Sequence, residues 1–343
     1  MFHRQLLLKV QPQFKSNMFQ SKLQLKNFDN NQFSLYLTKM LSKINAHPRD
    51  ANISFEEEGH LYTIKGMEGH PISVTTVIHK LFNEFNAEKI IDNMMKGKNW
   101  KTSKYHGMTR DEIKKQWKDN GESASKLGTA MHKAIEDYIN DEANPKIDDF
   151  SMCLAGLSLK VPSLEEIEKV PEETECKIPT IEEQSPKWIL PRVPDVATQT
   201  REFTFFLKFW KELKDGTPGI RAYRTEWLVY DMAKRLAGSI DLTLTLENGD
   251  IIICDWKRSK EIKKTNLYQK GLKIFSHLED CNYNHYSLQL NIYRHILETH
   301  YGKRVIGLFL VVLHPNNEDY IFIQVPFLQK EIEDLWNVLP YTE

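Results

Sequence analysis

The pattern of apolar and polar positions divides the second half of the chain into helices and strands. The segment REFTFFLKFWKEL repeats apolar residues at helical spacing, which predicts an amphipathic helix. The segments RTEWLVY, GSIDLTLTL and DIIICDWK are rich in strand-forming residues, and each predicts a strand. A helix over about residues 284–299, strands at VIGLFLVVL and DYIFIQV, and a short final helix follow.

A further helix is predicted upstream, over about residues 123–140, where Leu127, Met131, Ala134 and Tyr138 recur at helical spacing. The order from residue 123 is then helix, three strands, helix, strand. Such an order is typical of the α/β class, in which helices pack on a mixed central sheet.

Residues 46–120 are predicted to form a separate N-terminal region. Its segments HLYTIKG and PISVTTVI predict the two strands of a β-hairpin, linked by a turn that contains Gly66 and Gly69. Residues 86–120 predict basic helices.

The most basic part of that region runs from Lys96 to Lys118, where eight Lys or Arg residues face two acidic ones. Trp100, Tyr105 and Trp117 lie among these charges. Aromatic rings between positive charges suit a channel for single strands or strand ends, and a solvated surface is the alternative.

Composition also marks two segments with little capacity to fold by themselves. Residues 1–45 form a basic tail whose first 28 residues contain five Lys or Arg and no acid, which predicts either an organelle-targeting segment or a flexible tail. Residues 143–195 are rich in proline and glutamate and predict a flexible acidic insertion. That insertion is either a solvated spacer or a mimic that covers a basic cleft. The remainder of residues 121–343 is predicted to be the core domain.

Several function classes are disfavoured by what the sequence lacks. The four cysteines lie far apart without a Cys-x-x-Cys pair, which argues against a zinc ribbon or a disulfide framework and fits a reducing, intracellular compartment. No run of about 18 apolar residues occurs, so we expect no membrane-spanning segment. The net charge of −1 decides nothing about partners.

The hairpin GSIDLTLTLENGDIIICDWK carries candidate chemistry, because it gathers two acids and a lysine at one end. Asp255 and Lys257 are two positions apart on one strand and share a face. A two-residue Asn-Gly turn would place Asp241 opposite Trp256, whereas a three-residue loop with a left-handed Gly249 would place it opposite Asp255. Only the second arrangement makes a site for a divalent metal. A structural Asp–Lys ion pair is the alternative.

Two predicted helices add polar residues at a spacing of one turn. Gly128, His132 and Glu136 line one face of the first helix, where the glycine would let a phosphate approach. Gln289 and Tyr293 lie one turn apart in the later helix, among apolar residues. Taken alone, each set also fits a surface pair or a buried hydrogen bond.

Together these segments resemble the PD-(D/E)XK nucleases, and most closely the RecB-like branch that includes CRISPR-adaptation and mitochondrial genome-maintenance exonucleases. The resemblance covers about residues 60–315 and departs from the family at Ile240, where a proline is usual. It implies a restriction-endonuclease-like core. The residues that carry it, in chain order, are Gly128, His132, Glu226, Gly238, Asp241, Asp255, Lys257, Gln289 and Tyr293.

The resemblance implies a role for each of these residues. His132, Asp241, Asp255 and the carbonyl of Cys254 or Trp256 would hold Mg²⁺ or Mn²⁺. Lys257 would act on the attacking water, and Glu226 would bind a second ion or position water. The residues expected to contact the substrate are Gly128, Glu136, Arg258, Lys260, Gln289 and Tyr293. No cysteine follows Cys281, so we expect no iron–sulfur cluster.

By the same resemblance, the function expected is a metal-dependent DNA exonuclease acting on single strands or DNA ends. It would serve replication, recombination or repair, with proteins of those processes as possible partners. A structure-specific or RNA-directed endonuclease is the second hypothesis, and a catalytically silent nucleic-acid-binding module is the third. The compartment would be mitochondrial or another organelle if the tail is a targeting segment, and otherwise nuclear or cytoplasmic, viral proteins included.

Overall fold

The computed structural model describes residues 40–143 and 200–340. Most of the predicted basic tail and nearly all of the predicted acidic insertion lie outside the described residues. The last residues of the predicted tail form helix α1, Met40–Ile44. The Leu41 N–H donates a hydrogen bond to Asn140 Oδ1 at 3.0 Å, so this short helix is anchored to the body of the protein.

A β-hairpin follows, but its strands differ from those predicted. Strand β1, Ile53–Glu56, pairs with the antiparallel strand β2, Leu61–Ile64. The strand prediction for HLYTIKG is therefore confirmed, while its assignment to a hairpin with PISVTTVI is wrong.

The segment PISVTTVI forms a strand only at β3, Ile72–Ser73, and then becomes helix α2, Val74–Lys80. The Ser73 hydroxyl caps this helix by accepting a hydrogen bond from the Thr76 N–H at 3.1 Å. Val74, Val77 and Ile78 are buried at helical spacing against the core. Their tertiary packing outweighs the strand preference of β-branched residues, on which the prediction of a strand depends.

The predicted basic helices and the following helix also differ from expectation, because the boundary between them is absent. Helix α3, Ala87–Lys96, and a 3₁₀ turn at Trp100–Thr102 precede helix α4, Arg110–Glu142. Helix α4 has 33 residues and continues through the position predicted to separate two helices. A capping box starts it, in which Thr109 and Glu112 satisfy each other's backbone N–H groups.

The central sheet has six strands and a mixed topology, as predicted for the fold class. After helix α5, Arg201–Gly216, strand β4 pairs antiparallel with β5, and β5 pairs antiparallel with β6. Strand β7 is parallel to β6, and β8 is antiparallel to β7. The short β3 runs parallel to the start of β5. The five long strands are Arg221–Asp231, Leu236–Thr245, Ile251–Lys257, Val305–Val312 and Ile321–Val325.

Helices cover both faces of the sheet. Helix α6, Asn282–His300, packs on one face with α2 and with α7, Gln329–Val338. Helices α4 and α5 pack on the other. Within β6, Ile251 and Ile253 belong to the α6 side, and Cys254 and Trp256 to the α5 side. The alternation puts Asp255 and Lys257 on the α6 side.

Strand β5 changes its packing at Asp241. Ile240 lies in the α6-side core, whereas Leu242 lies in the α5-side core. In a regular strand, residues 240 and 242 would share a face. On β4, Glu226 lies between the pairs Thr225–Leu242 and Trp227–Ile240 and has a φ of 43°. The irregularity on both strands therefore falls at the level of Glu226 and Asp241.

Among the described residues, no helix combines the length and the apolar character needed to cross a bilayer.

Candidate active site

The turn between β5 and β6 decides where Asp241 lies. Thr245 pairs with Ile251, and the Leu246 N–H donates to the Asp250 carbonyl at 3.1 Å. Gly249 adopts a φ of 83°. The connection is therefore the three-residue loop, which confirms that alternative over the two-residue turn. Continuing this register sets Asp241 level with Asp255.

The backbone pairing of β5 with β6 ends at Leu242–Cys254, and beyond this pair side chains make the hydrogen bonds to the neighbouring elements. The Asp241 carboxylate accepts a hydrogen bond from the Trp256 N–H at 2.9 Å. The carbonyl oxygen of Trp256 lies 3.2 Å from His132 Nε2. Because the indole is buried against Phe206, only the backbone of Trp256 faces the site. The backbone of a single β6 residue thus links a strand carboxylate to a helix imidazole.

Three potential metal ligands converge from α4, β4 and β5. His132, Glu226 and Asp241 each offer one ligand atom, and these atoms all lie within 4.8 Å of one another. His132 Nδ1 is 3.6 Å from Asp241 Oδ2 and 3.8 Å from Glu226 Oε1. The Ser239 hydroxyl donates to Glu226 Oε2 at 2.8 Å and so orients that carboxylate. The cluster unites residues that span more than a hundred positions of the chain.

Asp255 and Lys257 form an ion pair beside this cluster. Asp255 is only 1% exposed, and its Oδ2 lies 2.6 Å from Lys257 Nζ. Its Oδ1 is buried without a hydrogen-bond partner among the described residues. Asp255 does not belong to the group of three within 4.8 Å, so its predicted role as a metal ligand stays a prediction.

Helix α6 brings three polar side chains to the ion pair. Lys257 Nζ donates to Gln289 Oε1 at 3.4 Å and lies 4.5 Å from the centre of the Tyr286 ring. Gln289 Nε2 in turn donates to the Tyr293 hydroxyl at 3.4 Å. The predicted one-turn pair on this helix thus lies within reach of Lys257, in a largely buried position.

The charges of the cluster shift the pKa values of its members. Burial raises the pKa of the Asp241 carboxyl to about 7, and the charge of Asp255 adds to this effect. Burial lowers the pKa of the His132 imidazole, but the carboxylates of Asp241 and Glu226 outweigh burial and raise that pKa to about 9. The pKa of Lys257 is raised as well, because Asp255 and Asp241 outweigh its burial. The cluster therefore carries an excess of negative charge that favours bound cations.

Two further residues of α4 lie along the same side of the helix. Glu136 is one turn after His132, and burial raises the pKa of its carboxyl to about 7. The charge of Lys133, whose Nζ lies 3.6 Å from Glu136 Oε2, lowers that pKa but is outweighed by burial. Gly128 lies one turn before His132, and a Cβ atom there would meet nothing within 4 Å. The backbone at Gly128 is therefore open to a ligand, while its predicted substrate contact stays a prediction.

The two basic residues that follow Lys257 differ in their surroundings. Arg258 Nε lies 2.9 Å from Glu202 Oε1 on α5, and both side chains are largely buried. Lys260 is exposed. The guanidinium of Arg258 is thus already engaged in a contact within the protein. The substrate-binding roles of Arg258 and Lys260 stay predictions.

Sequence reasoning missed Ser239, Tyr286 and Tyr62. Tyr286 lies three residues before Gln289, so helical spacing alone would have revealed it. Tyr62 lies on β2, and burial followed by the charges of Glu226 and Asp241 raises its pKa to about 12. No local signal in the sequence connects this hairpin tyrosine to carboxylates more than 150 positions later.

The residues present fit a divalent metal ion. Imidazole nitrogen and carboxylate oxygen are the donors such ions use. The partnerless Oδ1 of Asp255 is a buried acceptor of the kind that a cation satisfies.

A model of one protein family, described as the PD-(D/E)XK nuclease superfamily, matches residues 99–339, well over half of the chain. The chain belongs to the PD-(D/E)XK nuclease superfamily. No curated protein matches it in a sequence search. Membership of the superfamily implies a metal-dependent nuclease with a nucleic acid substrate. The matched range includes the site residues from His132 to Tyr293, whereas the hairpin with Tyr62 precedes it.

Proposed function

We propose that this protein is a Mg²⁺- or Mn²⁺-dependent deoxyribonuclease, and specifically an exonuclease of the RecB-like branch that acts on single strands or DNA ends. The observation that carries the proposal is the convergence of His132, Glu226 and Asp241 within 4.8 Å, beside the buried pair Asp255–Lys257. An isolated ion pair at the end of a strand would require no such cluster. The proposed process is DNA replication, recombination or repair.

The metal would be held by His132, Asp241 and Glu226, with Asp255 and the Trp256 carbonyl completing the set. Such an ion supplies Lewis-acid stabilisation of negative charge on a phosphate and lowers the pKa of water. The protein's own part is to fix the ligands. Asp241 is held by the Trp256 N–H, and Glu226 is held by the Ser239 hydroxyl. Ligands fixed in this way lose little entropy on binding a cation.

Lys257 is proposed to stabilise charge that develops on the scissile phosphate and to orient the attacking water. Its ammonium has a fixed position, set by Asp255 Oδ2 on one side and by Gln289 Oε1 on the other. A donor held still before the reaction stabilises a transition state better than a mobile one. Gln289 and Tyr293 are proposed to contact the strand near the cut, with Gly128, Glu136, Arg258 and Lys260 further along it.

The test is cleavage of end-labelled DNA by purified protein with Mg²⁺, Mn²⁺ or EDTA. Substrates are linear single strands, linear duplexes, closed circles and an RNA of matched sequence. We expect metal-dependent release of short products from linear DNA and none from circles. Cleavage of circles would favour a structure-specific endonuclease, and cleavage of RNA alone would favour an RNA-directed enzyme. Binding without cleavage under any metal would indicate a silent binding module.

Variants of Lys257 separate an enzyme from a binding module. Lys257→Ala is expected to lower the cleavage rate by about a hundredfold or more, since it removes a group that stabilises the transition state. DNA binding in EDTA should weaken only modestly, because Lys257 is one of several groups that bind phosphates. Asp255→Asn should weaken metal binding as well as rate.

Removing Lys257 also leaves a buried carboxylate without its ion-pair partner, which destabilises a protein. Lys257→Met keeps most of the apolar stem, and thermal unfolding of each variant shows whether the fold survives. Lys211→Ala, on an exposed lysine of α5, is the matched control and should cleave like wild type. A folded Lys257→Met variant that cuts as fast as wild type would refute the catalytic assignment.

A further inference from the structure

Helix α4 extends well beyond the active site as an exposed arm. From Lys118 to Ala130 nearly every residue is exposed, on all sides of the helix, within the part of the chain that the structure describes. His132 lies at the inner end of this stretch, and Trp117 lies at its outer end. Fifteen residues separate the two, and at 1.5 Å per residue this corresponds to roughly 22 Å.

The outer end of the arm is a small packed unit and not a fraying terminus. Ile91 of α3 and Ile113 of α4 are both fully buried where the two helices meet. Arg110 forms ion pairs with Glu88 and Asp92 across the same contact. The aromatic residues that surround this contact are therefore held in place by the fold.

Three aromatic side chains contact one another on this unit, with Trp117 edge-to-face against each of the other two rings, and we name them the aromatic platform: Phe85, Tyr105 and Trp117. The Trp117 ring centre lies 5.9 Å from that of Phe85 and 5.9 Å from that of Tyr105. Trp117 Nε1 donates to the Tyr105 hydroxyl at 2.8 Å, which fixes both rings. Phe85 is 73% exposed, so its ring is open to solvent.

Positive charge is concentrated in the segment that carries the aromatic platform, and Lys104 Nζ lies 4.8 Å from the centre of the Tyr105 ring. Between Phe85 and Lys118 the sequence has nine Lys or Arg and four acidic residues. Three of the acids pair with Arg110 or Lys114, and Glu112 is used in the capping box of α4. The lysines that form no ion pair among the described residues are Lys89, Lys96, Lys98, Lys101, Lys104 and Lys115. The charge left free is therefore positive.

This combination fits single-stranded DNA. Exposed rings stack on the faces of bases, and lysines neutralise the phosphates between those bases. In a duplex the base faces are already stacked on each other and are closed to the rings. A protein partner would have to supply enough acidic groups to match these unpaired lysines, whereas any strand supplies a phosphate at every nucleotide.

We infer that the aromatic platform with its lysines is a second binding surface for single-stranded DNA, placed roughly 22 Å along α4 from the cluster of His132, Glu226 and Asp241. The inference rests on the proposed function in one respect, namely that the same strand reaches the active site. At about 3.4 Å per nucleotide for a stacked strand, roughly 22 Å spans about six or seven nucleotides. A strand shorter than this would contact the active site or the platform, and a longer one would contact both.

The experiment measures fluorescence anisotropy in EDTA with a 20-mer of dT, a 20-bp duplex and a 20-mer of rU. Phe85→Ala and Phe85→Leu are expected to weaken binding of dT by roughly tenfold or more, since base stacking contributes about 1–3 kcal/mol per base. Phe85→Tyr keeps a ring and should bind like wild type. The difference in dT affinity between wild type and Phe85→Ala should be larger for a 20-mer of dT than for a trimer.

A double lysine variant tests the charges. Lys101→Ala with Lys104→Ala should lower the slope of log affinity against log salt by about 0.7 for each phosphate that is no longer neutralised. Its control is Lys211→Ala with Lys330→Ala, which removes the same charge from two lysines that are each 77% exposed, and which should leave the slope unchanged. Equal effects of the two pairs on the salt slope would refute the inference, because positive charge would then contribute to DNA binding wherever it lies on the surface.

Other outcomes are equally decisive. Wild-type affinity in Phe85→Ala and Phe85→Leu, or a duplex bound as tightly as the single strand, would overturn the inference. Tighter binding of rU than of dT would replace DNA by RNA as the occupant. Cleavage by wild type is scored separately. A protein that binds dT through Phe85 but never cuts refutes the proposed function alone, and one that cuts without using Phe85 refutes this inference alone.

Discussion

Gly238 on β5 lies directly against the ring of Tyr293 on α6. A Cβ atom at position 238 would be 2.7 Å from Tyr293 Cε1 and 2.8 Å from its hydroxyl oxygen. Such a distance is too short for a non-bonded contact between side-chain atoms. The absence of a side chain at Gly238 therefore allows Tyr293 to approach the start of the strand that carries Asp241, and the glycine helps to position α6 against the cluster of His132, Glu226 and Asp241.

Gly238→Ala is accordingly predicted to displace Tyr293 and to destabilise the fold by about 1–3 kcal/mol, the usual cost of overpacking a core. Thermal or urea unfolding measures the loss of stability. The double variant Gly238→Ala/Tyr293→Leu removes the hydroxyl and the ring edge and should recover part of the lost stability. If Gly238→Ala unfolds at the same midpoint as wild type, Tyr293 can move away from position 238 without a loss of stability.

The sequence alone predicts the long strands of the central sheet, because they depend on local patterns. The site residues are expected from a family resemblance, and of these the structure brings His132, Glu226 and Asp241 within 4.8 Å of one another. The strands of the sheet are continuous apolar or alternating segments, and the helix of Gln289 and Tyr293 has clear periodicity. The three-residue loop could be stated as one of two options, because Gly249 permits a left-handed conformation in either. Choosing between them required the register of the whole hairpin.

Long-range packing accounts for what the sequence did not predict. The segment at Val74 has β-branched residues and becomes a helix because its apolar side chains pack against α6. Helix α4 continues through Gly121, since a glycine in an exposed helix costs only about 1 kcal/mol. The interaction of Tyr62 with the charge of the site depends on a hairpin folding back over the sheet, which no local pattern encodes.

Gly128 and Gly121 offer a matched pair for testing substrate approach along α4. Both lie in the same exposed helix, and a Cβ atom would meet nothing within 4 Å at either position. Alanine at either position is therefore predicted to stabilise the protein by up to about 1 kcal/mol, because alanine is the better helix former. Only Gly128→Ala should also weaken cleavage or DNA binding, since position 128 lies one turn from His132.

The measurement is thermal unfolding together with the rate of cleavage at limiting DNA. Gly121→Ala serves as the control for any effect of helix stiffness. If the two variants cleave at the same rate, then no phosphate needs the space above Gly128, and its predicted substrate contact is wrong.

Glu226 is predicted to be a metal ligand, since it shares with His132 and Asp241 a group of ligand atoms within 4.8 Å that does not include Asp255. Glu226→Gln keeps the shape and the hydrogen bond with Ser239 but removes the charge. We expect the affinity for Mn²⁺ to fall by at least about tenfold, because even outer partners of a metal site contribute about 10- to 100-fold. Titration calorimetry with Mn²⁺ measures this affinity.

Asp137→Asn is the control for that titration, because Asp137 lies on the same helix as His132 and is bound to Lys133 by an ion pair at the surface. Its Mn²⁺ affinity should equal that of wild type. A Glu226→Gln variant with wild-type Mn²⁺ affinity would assign the ion to Asp241 and Asp255 without Glu226.

Asp231 links the end of β4 to two helices and should make stability depend on acid pH. Its carboxylate accepts hydrogen bonds from the Lys234 N–H at 2.9 Å and from Trp336 Nε1 at 3.1 Å, and it lies 2.9 Å from His300 Nε2. Burial raises the pKa of Asp231, but the hydrogen bonds and the charge of His300 outweigh it, so the pKa in the folded protein is lowered. A lowered carboxyl pKa means that its contribution to stability is present above the unfolded pKa of about 3.9 and is lost as the pH falls through the folded value.

Asp231→Asn should therefore be less stable than wild type at pH 6, and the difference in the free energy of unfolding should shrink as the pH falls below the unfolded pKa of about 3.9 toward the lowered folded value. Urea unfolding at several pH values measures this difference. Asp215→Asn, at an exposed helix position, is the control that should stay parallel to wild type. A difference that stays constant as the pH falls below about 3.9 would show that Asp231 acts through packing alone and not through its charge.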